Sequence, residues 1–295
     1  MVLWKRITLV GVGLLGGSLG LAVKKRRLAK SVIGFVRRAA SVDECLQARA
    51  VDEAMLDLPA AVAGADLIVL CTPLAQMRSL VEQMLGTLKA GTVVTDVGSV
   101  KGSVVRELEG LIARAGGHFV GSHPMAGAEK TGVRAARADL FENAICVVTP
   151  TRKSKASAVR QVEALWRALG SQVIRMSPPQ HDQLVSRSSH LPHLVAAGLA
   201  NFVLNPAHPK AQSILCANGF RDTTRIASGS PEMWRDIAVA NRQRISGALS
   251  VFIRDLRKLE RLIAGGKARQ LERFLVQAKT RRDRWQRIGV PRSPE

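Results

Sequence analysis

Gly11-Val12-Gly13-Leu14-Leu15-Gly16 sets three glycines in a G-x-G-x-x-G pattern. The pattern ends an apolar run, Ile7 to Val12, and opens a stretch that can be helical, Leu14 to Arg27. Between a strand and a helix, such a loop can cradle a dinucleotide. Gly11 permits the tight turn, Gly13 lets the backbone approach a pyrophosphate, and Gly16 lets helix and strand pack closely. The helix N-terminus then offers N–H donors and a partial positive charge to the anion. A glycine-rich turn without a ligand is the alternative, and it would need none of this context. The next strand-like run, Ser31 to Val36, leads into Arg37-Arg38, with no carboxylate until Asp43. A carboxylate there would read a ribose 2′-hydroxyl and repel a 2′-phosphate, whereas arginines attract one. NADP is therefore expected to serve at least as well as NAD, unless Arg37 and Arg38 are only solvated charges at a helix edge.

Four more segments concentrate polar and small residues. They are Asp96-Val97-Gly98-Ser99-Val100-Lys101-Gly102, Gly121-Ser122-His123-Pro124-Met125-Ala126-Gly127, Ser189-His190-Leu191-Pro192-His193, and Gly219 to Ile226 followed by Met233-Trp234-Arg235-Asp236. The first two follow predicted strands, at the sheet edge where open parallel sheets bind their ligands.

The elements that must position these segments fall into two groups. Up to Met176, strand-like runs (Asp66 to Cys71, Thr92 to Asp96, His118 to Gly121, Ala144 to Thr149, Gln172 to Met176) alternate with helical ones (Val42 to Arg49, Leu74 to Leu88, Gly102 to Ala115, Lys155 to Leu169). That alternation predicts a mostly parallel sheet covered on both faces. After Pro178-Pro179 no convincing strand remains. His181 to Val203 is helix-compatible apart from Pro192, as are Asp222 to Ala227, Pro231 to Ile263 and Ala268 to Arg287. The predicted organisation is an α/β, Rossmann-like dinucleotide-binding domain over 1–178 and an all-α domain over 179–295.

Composition bounds the rest. With 46% hydrophobic and 23% charged residues over 295 positions, the chain can build a core, and collagen, low-complexity disorder and a disulfide miniprotein are excluded. The 44 Lys+Arg against 23 Asp+Glu give +21, which raises nucleic-acid binding as a reading from another class. No tyrosine is present to stack bases, and no helix-turn-helix, zinc or RNA-binding signature accompanies the late basic residues Arg281, Arg282, Arg284, Arg287 and Arg292. A solvated basic face that steers anionic ligands is expected instead, with no nucleic-acid partner. Cys45, Cys71, Cys146 and Cys216 are too scattered for a C-x-x-C pair, so no metal is expected and a reducing cytoplasm fits. Lys5-Arg6 and the run to Val23 imitate a signal peptide, but glycines recur through it and Lys24 to Arg27 follows directly. No membrane association is expected.

Read in order, GLLGGS (13–18), CTP (71–73), DVGSVKG (96–102), SHPMAG (122–127), SHLPH (189–193), GFRDTTRIA (219–227) and MWRDI (233–237) make the sequence resemble the prephenate/arogenate dehydrogenase family of tyrosine biosynthesis. The resemblance runs from the glycine loop to about Asn241. It implies oxidative decarboxylation of a cyclohexadienol: prephenate to 4-hydroxyphenylpyruvate, arogenate to tyrosine, or both, with hydride passing to NAD(P). It implies His123 as the catalytic histidine, suited as a neutral imidazole to take the hydroxyl proton. Ser99 is implied beside it, holding the ring hydroxyl, the histidine or the nicotinamide. Arg225 is the implied substrate arginine, since guanidinium binds carboxylate bidentately. His193, Glu129 and Trp234 complete the implied substrate site, and His190 is expected to pack or hydrogen-bond nearby. Gly11, Gly13, Leu14, Leu15, Gly16, Arg37, Arg38, Thr72 and Pro73 are the expected cofactor residues. Ala128 stands where some relatives carry threonine, and Asn218-Gly219 where some have a glycine run. No regulatory domain or fused mutase is expected in these residues, and the helical half is expected to pair two copies into a homodimer. Another two-domain β-hydroxyacid-type dehydrogenase is the remaining enzymatic alternative; such enzymes usually use a lysine base from the helical part.

Overall fold

The computed structural model describes residues 2–128 and 130–287. Glu129 and Arg292 therefore lie outside the described residues. Chain order in the first half is β1 (Trp4–Val10), α1 (Leu14–Lys25), β2 (Ala29–Phe35), α2 (Ala39–Gln47), β3 (Glu53–Met55), α3 (Leu58–Val62), β4 (Leu67–Leu70), α4 (Leu74–Met84), β5 (Val93–Asp96), α5 (Gly102–Arg114), β6 (His118–Phe119), β7 (Gly121–Pro124), β8 (Ile145–Thr149), α6 (Ala156–Ala168) and β9 (Gln172–Arg175). Six strands form a sheet in the order β3-β2-β1-β4-β5-β6, every neighbour parallel. This is the dinucleotide-binding order, whose crevice opens where β1 and β4 send their connections to opposite sides.

The central strands are apolar on both faces because both faces are covered. Ile7 and Leu9 of β1, with Leu67 and Val69 of β4, pack against Leu19, Val23, Val162 and Trp166. Their alternates Val10, Ile68 and Leu70 pack against Met77, Val81, Leu108 and Ile112. The two-residue period thus feeds two cores from one sheet.

Beyond β9 come α7 (Pro178–Val185), a π-helical turn Ser186–His190, α8 (Leu191–Val203), α9 (Lys210–Ile214), α10 (Asn218–Thr224), a 3-10 turn Arg225–Ser228, α11 (Pro231–Ala240), α12 (Arg242–Ala264) and α13 (Ala268–Arg287). Among the described residues this half has no strand, as expected. Pro192 does not end the helix. The wider π turn just ahead of it absorbs the backbone bond that proline cannot make.

Four sequence expectations change. There are two sheets rather than one, the second being β7-β8-β9 with β7 antiparallel to β8. The strand expected over His118 to Gly121 divides between them, so His123 lies within β7 rather than in a loop after a strand. Pro231 to Ile263 is two helices, broken at Asn241, whose Nδ2 donates to the Asp182 carbonyl at 2.9 Å. Finally, the helix expected over Asp222 to Ala227 is the end of α10 followed by the 3-10 turn, so Arg225 heads that turn.

Candidate active site

The glycine loop has the geometry its sequence asks for. Gly11 has φ +96°, and a Cβ there would meet the Thr72 side chain at 2.8 Å. A Cβ on Gly16 would lie 2.0 Å from the Gly11 carbonyl oxygen, whereas one on Gly13 would meet nothing within 4 Å. The turn is thus closed on its protein side and open at Gly13. α1 is preceded by Gly13, which offers no side-chain cap, and has no acid in its first turn, which leaves its N–H donors for an anion. A cavity of about 510 Å³ runs past Gly11, Gly13, Thr72 and Pro73 to Arg37 and Arg38, which are exposed on its wall. Glu44 shares that wall, a carboxylate that the sequence reading did not place there. A second cavity of about 410 Å³ takes over from Gly13, Leu14, Leu15, Thr72 and Pro73 and reaches Ser99 and the helical half at Gly229 and Met233. These residues fit a dinucleotide laid across the loop. Cys71 lines both cavities, and burial raises its thiol pKa far above the ordinary value, so it packs rather than reacts.

Beneath the second cavity, β5 and β7 carry a buried polar assembly. Lys101 is fully buried, pairs with Asp96, and donates to the Ser122 carbonyl at 2.8 Å. Burial pulls the lysine pKa down, opposed by Asp96. The Ser122 hydroxyl lies 2.9 Å from Thr95 Oγ1 and accepts from Trp166 Nε1 at 2.9 Å. These contacts fasten the strand that holds His123.

His123 is 7% exposed, and its Nδ1 lies 2.8 Å from Nε2 of His181, a fully buried residue of α7. His181 Nδ1 lies 2.8 Å from Asp182 Oδ1. Asp182 also accepts from the backbone N–H groups of Lys101 and Gly102, at 2.8 Å each. Burial alone would raise the Asp182 pKa, but the bonds from His181 and the two amides hold it below the usual value. A carboxylate only accepts, so His181 carries its proton on Nδ1 and accepts on Nε2. His123 must then donate from Nδ1, which leaves its Nε2 lone pair free. Burial, then the neighbouring His181, Lys101 and His190, hold His123 well below the ordinary histidine pKa, so it is neutral near pH 7. The result is a buried neutral imidazole with a fixed tautomer, able to accept one proton.

The helical half contributes stacked rings. His193 lies flat on Trp234, with centroids 3.5 Å apart and planes at 12°. His190 meets Trp234 edge-on at 6.2 Å and pairs with Asn241. Burial pushes the His190 pKa down to about 4. Gly229 backs this stack, since a Cβ there would lie 2.8 Å from Trp234 Nε1 and 3.2 Å from His193 Cε1. Ser99 and Gly229 line the second cavity, whereas the His123, His193 and Arg225 side chains are not on its wall. Arg225 is exposed at the head of the turn that leads into Gly229 and Ser230. His181 and Asp182 were missed by the sequence reading. Their only signal was an adjacent His-Asp pair just after Ser177-Pro178-Pro179.

The nucleotide-binding-domain model of prephenate dehydrogenase matches residues 19–175, and the prephenate dehydrogenase dimerization-domain model matches 177–277. The chain belongs to the prephenate dehydrogenase family. Prephenate dehydrogenase of Bacillus subtilis is 36% identical over 94% of this chain and 75% of its own length. The crystal structure of prephenate dehydrogenase from A. aeolicus with hydroxyphenyl propionate and NAD+ superposes with a TM-score of 0.89 at 30% identity, covering 95% of this chain and 98% of that one. Arogenate dehydrogenase of Synechocystis superposes at 0.80 and 31% identity, over 95% of this chain and 100% of that one. As a member of this family the chain is an oxidoreductase with a dinucleotide-binding domain and a dimerization-type helical domain. Among the described residues no helix is long and apolar enough to cross a membrane.

Proposed function

We propose that this chain oxidatively decarboxylates prephenate, and arogenate as the second candidate, with His123 as the base. The buried His123–His181–Asp182 chain supports this most directly, because it supplies a neutral acceptor of defined tautomer. When bound, the nicotinamide cofactor supplies the hydride acceptor. His123 Nε2 takes the ring hydroxyl proton as the carbinol carbon becomes carbonyl-like. The ring carboxylate leaves as carbon dioxide, and the electron pair of the broken C–C bond completes the aromatic ring. His123 then returns the proton to the oxygen, giving the phenol with no net proton released. While His123 is charged, Asp182 stabilises it through His181.

Ser99 on the cavity wall orients the hydroxyl or the nicotinamide. Arg225 is assigned to a substrate carboxylate, His193 on its Trp234 platform to the side chain, and Glu129 to ordering the site. Gly11, Gly13, Leu14, Leu15 and Gly16 hold the pyrophosphate, with Thr72 and Pro73 beside it. Arg37 and Arg38 favour NADP+, and Glu44 on the same wall tempers that preference. The domain boundary is placed at residue 178, just after β9. The scattered cysteines suit a cytoplasmic setting.

A two-fold homodimer through the helical half is part of the proposal. Ile214 and Leu215 are 82% and 81% exposed, and Ile263, Leu275 and Val276 are exposed on α12 and α13, so the helical half carries apolar side chains that a second copy would cover. One assay tests the reading: both substrates against both cofactors, followed at the absorbance of the reduced nicotinamide. Turnover of neither substrate refutes the function. A strong NAD+ preference in kcat/KM refutes the cofactor assignment, and a fully active monomer by light scattering refutes the dimer.

A further inference from the structure

A crevice of about 840 Å³ lies on the seam between the two halves and shares no lining residue with the two cavities above. Arg106 of α5 and Arg152 after β8 line it from the nucleotide half, and Arg242 and Arg244 at the start of α12 from the helical half. All four are exposed. Arg106, Arg152 and Arg242 have no ion pair or side-chain hydrogen bond among the described residues, and Arg244 reaches only the neutral Gln183, at 2.9 Å. The carboxylate on the wall is Asp182, whose oxygens already serve His181 and the amides of Lys101 and Gly102. Four guanidinium groups from two domains therefore share one concavity whose lining carboxylate is already engaged; Glu109, bonded to Thr151 and Ser154 beside it, is not among the lining residues. Planar guanidinium is the side chain best matched to phosphate oxygens, and convergent arginines are how a phosphate-bearing ligand is held.

We propose that this crevice is a second, non-catalytic binding site for a small polyanion bearing phosphate groups, which bridges the two halves. It does not rest on the reaction assigned above, although Asp182 stands on its wall. The test is calorimetric titration of inorganic pyrophosphate into enzyme saturated with NADP+, so that the glycine loop is already filled. The expected result is one saturable site per chain. Arg106→Ala with Arg242→Ala should weaken it at least tenfold, ~1.4 kcal/mol. Arg114→Ala with Arg160→Ala removes the same charge elsewhere on the surface and should leave binding unchanged. Absence of saturable binding, an unaffected seam variant, or equal losses in both variants would each overturn the proposal. A short DNA duplex that displaces pyrophosphate at equal phosphate concentration would also overturn it, by making the face a nucleic-acid surface. All four positions are exposed, so the variants should fold; thermal melting of each checks this.

Discussion

Asp182→Asn separates the two tasks assigned to Asp182. In the native chain its carboxylate fixes the His181 tautomer and accepts from the backbone N–H groups of Lys101 and Gly102 at the head of α5. An asparagine keeps one acceptor and presents an NH2 where the other stood. If its carbonyl takes over from Oδ1, it still serves His181 and Lys101 N–H, and Gly102 N–H faces a donor. The structural cost is then one unsatisfied, half-buried amide, ~1–3 kcal/mol. The catalytic cost is separate. A neutral amide stabilises the charged His123–His181 pair less than a carboxylate does, and the difference between charged and neutral hydrogen bonds is ~1–2 kcal/mol. That corresponds to about a fivefold to thirtyfold fall in kcat. Steady-state kinetics should show this fall with little change in KM for the cofactor, whose cavity does not include Asp182. The thermal midpoint should drop by several degrees. A lowered midpoint with unchanged kcat would make the His181–Asp182 pair structural only and remove it from the proton path.

Three further outcomes follow from the same geometry. His123→Asn should lower kcat by about 10²–10⁴, the scale of a lost general base, with cofactor binding kept in a fluorescence titration; near-normal turnover would remove His123 from the mechanism. Arg225→Ala should chiefly raise KM for the dicarboxylate, and an unchanged KM would mean that another cation holds it. Acid titration of stability should show the buried histidines. His190 sits at about 4 when folded against ~6.5 unfolded, so its contribution is complete above pH 6.5 and lost as pH falls toward 4, at most ~3 kcal/mol. His123 and His181, also lowered by burial, act in the same direction, so a denaturation midpoint that stays flat from pH 7 to 4.5 would contradict their neutral burial.

The fold was legible where one short-range signal decided it. Alternating apolar strands with intervening helices locate β1, β2, β4, β5, α1, α4 and α5 to within a few residues. The glycine loop could be read residue by residue because each glycine answers a separate steric demand. Glu53–Met55, Leu58–Val62 and Lys210–Ile214 went unread because three to five residues carry too little periodicity to separate strand, helix and loop. The division at Val120 was hidden because a chain passing directly from one sheet to the next looks like one strand. The break at Asn241 was hidden for another reason: its cause is a hydrogen bond to Asp182, 59 residues away in sequence.

The same distinction separates the visible part of the site from the hidden part. His123, Ser99 and the glycines stand in motifs at predicted strand ends, where residue type and position together suggest chemistry. His181 and Asp182 lie in another domain, and their meaning exists only once α7 docks on the start of α5. That docking is itself specific. The Asp182 carboxylate binds the two amides at the head of α5 and orients the ring that orients His123. A contact that joins the domains therefore also sets the tautomer of the proposed base. A chain opened at this seam would lose the defined proton acceptor while keeping its cofactor cavity. It follows that binding of the dinucleotide should survive perturbations of the α5–α7 contact that abolish turnover, and that the proposed base, His123, is complete only with the two halves in contact.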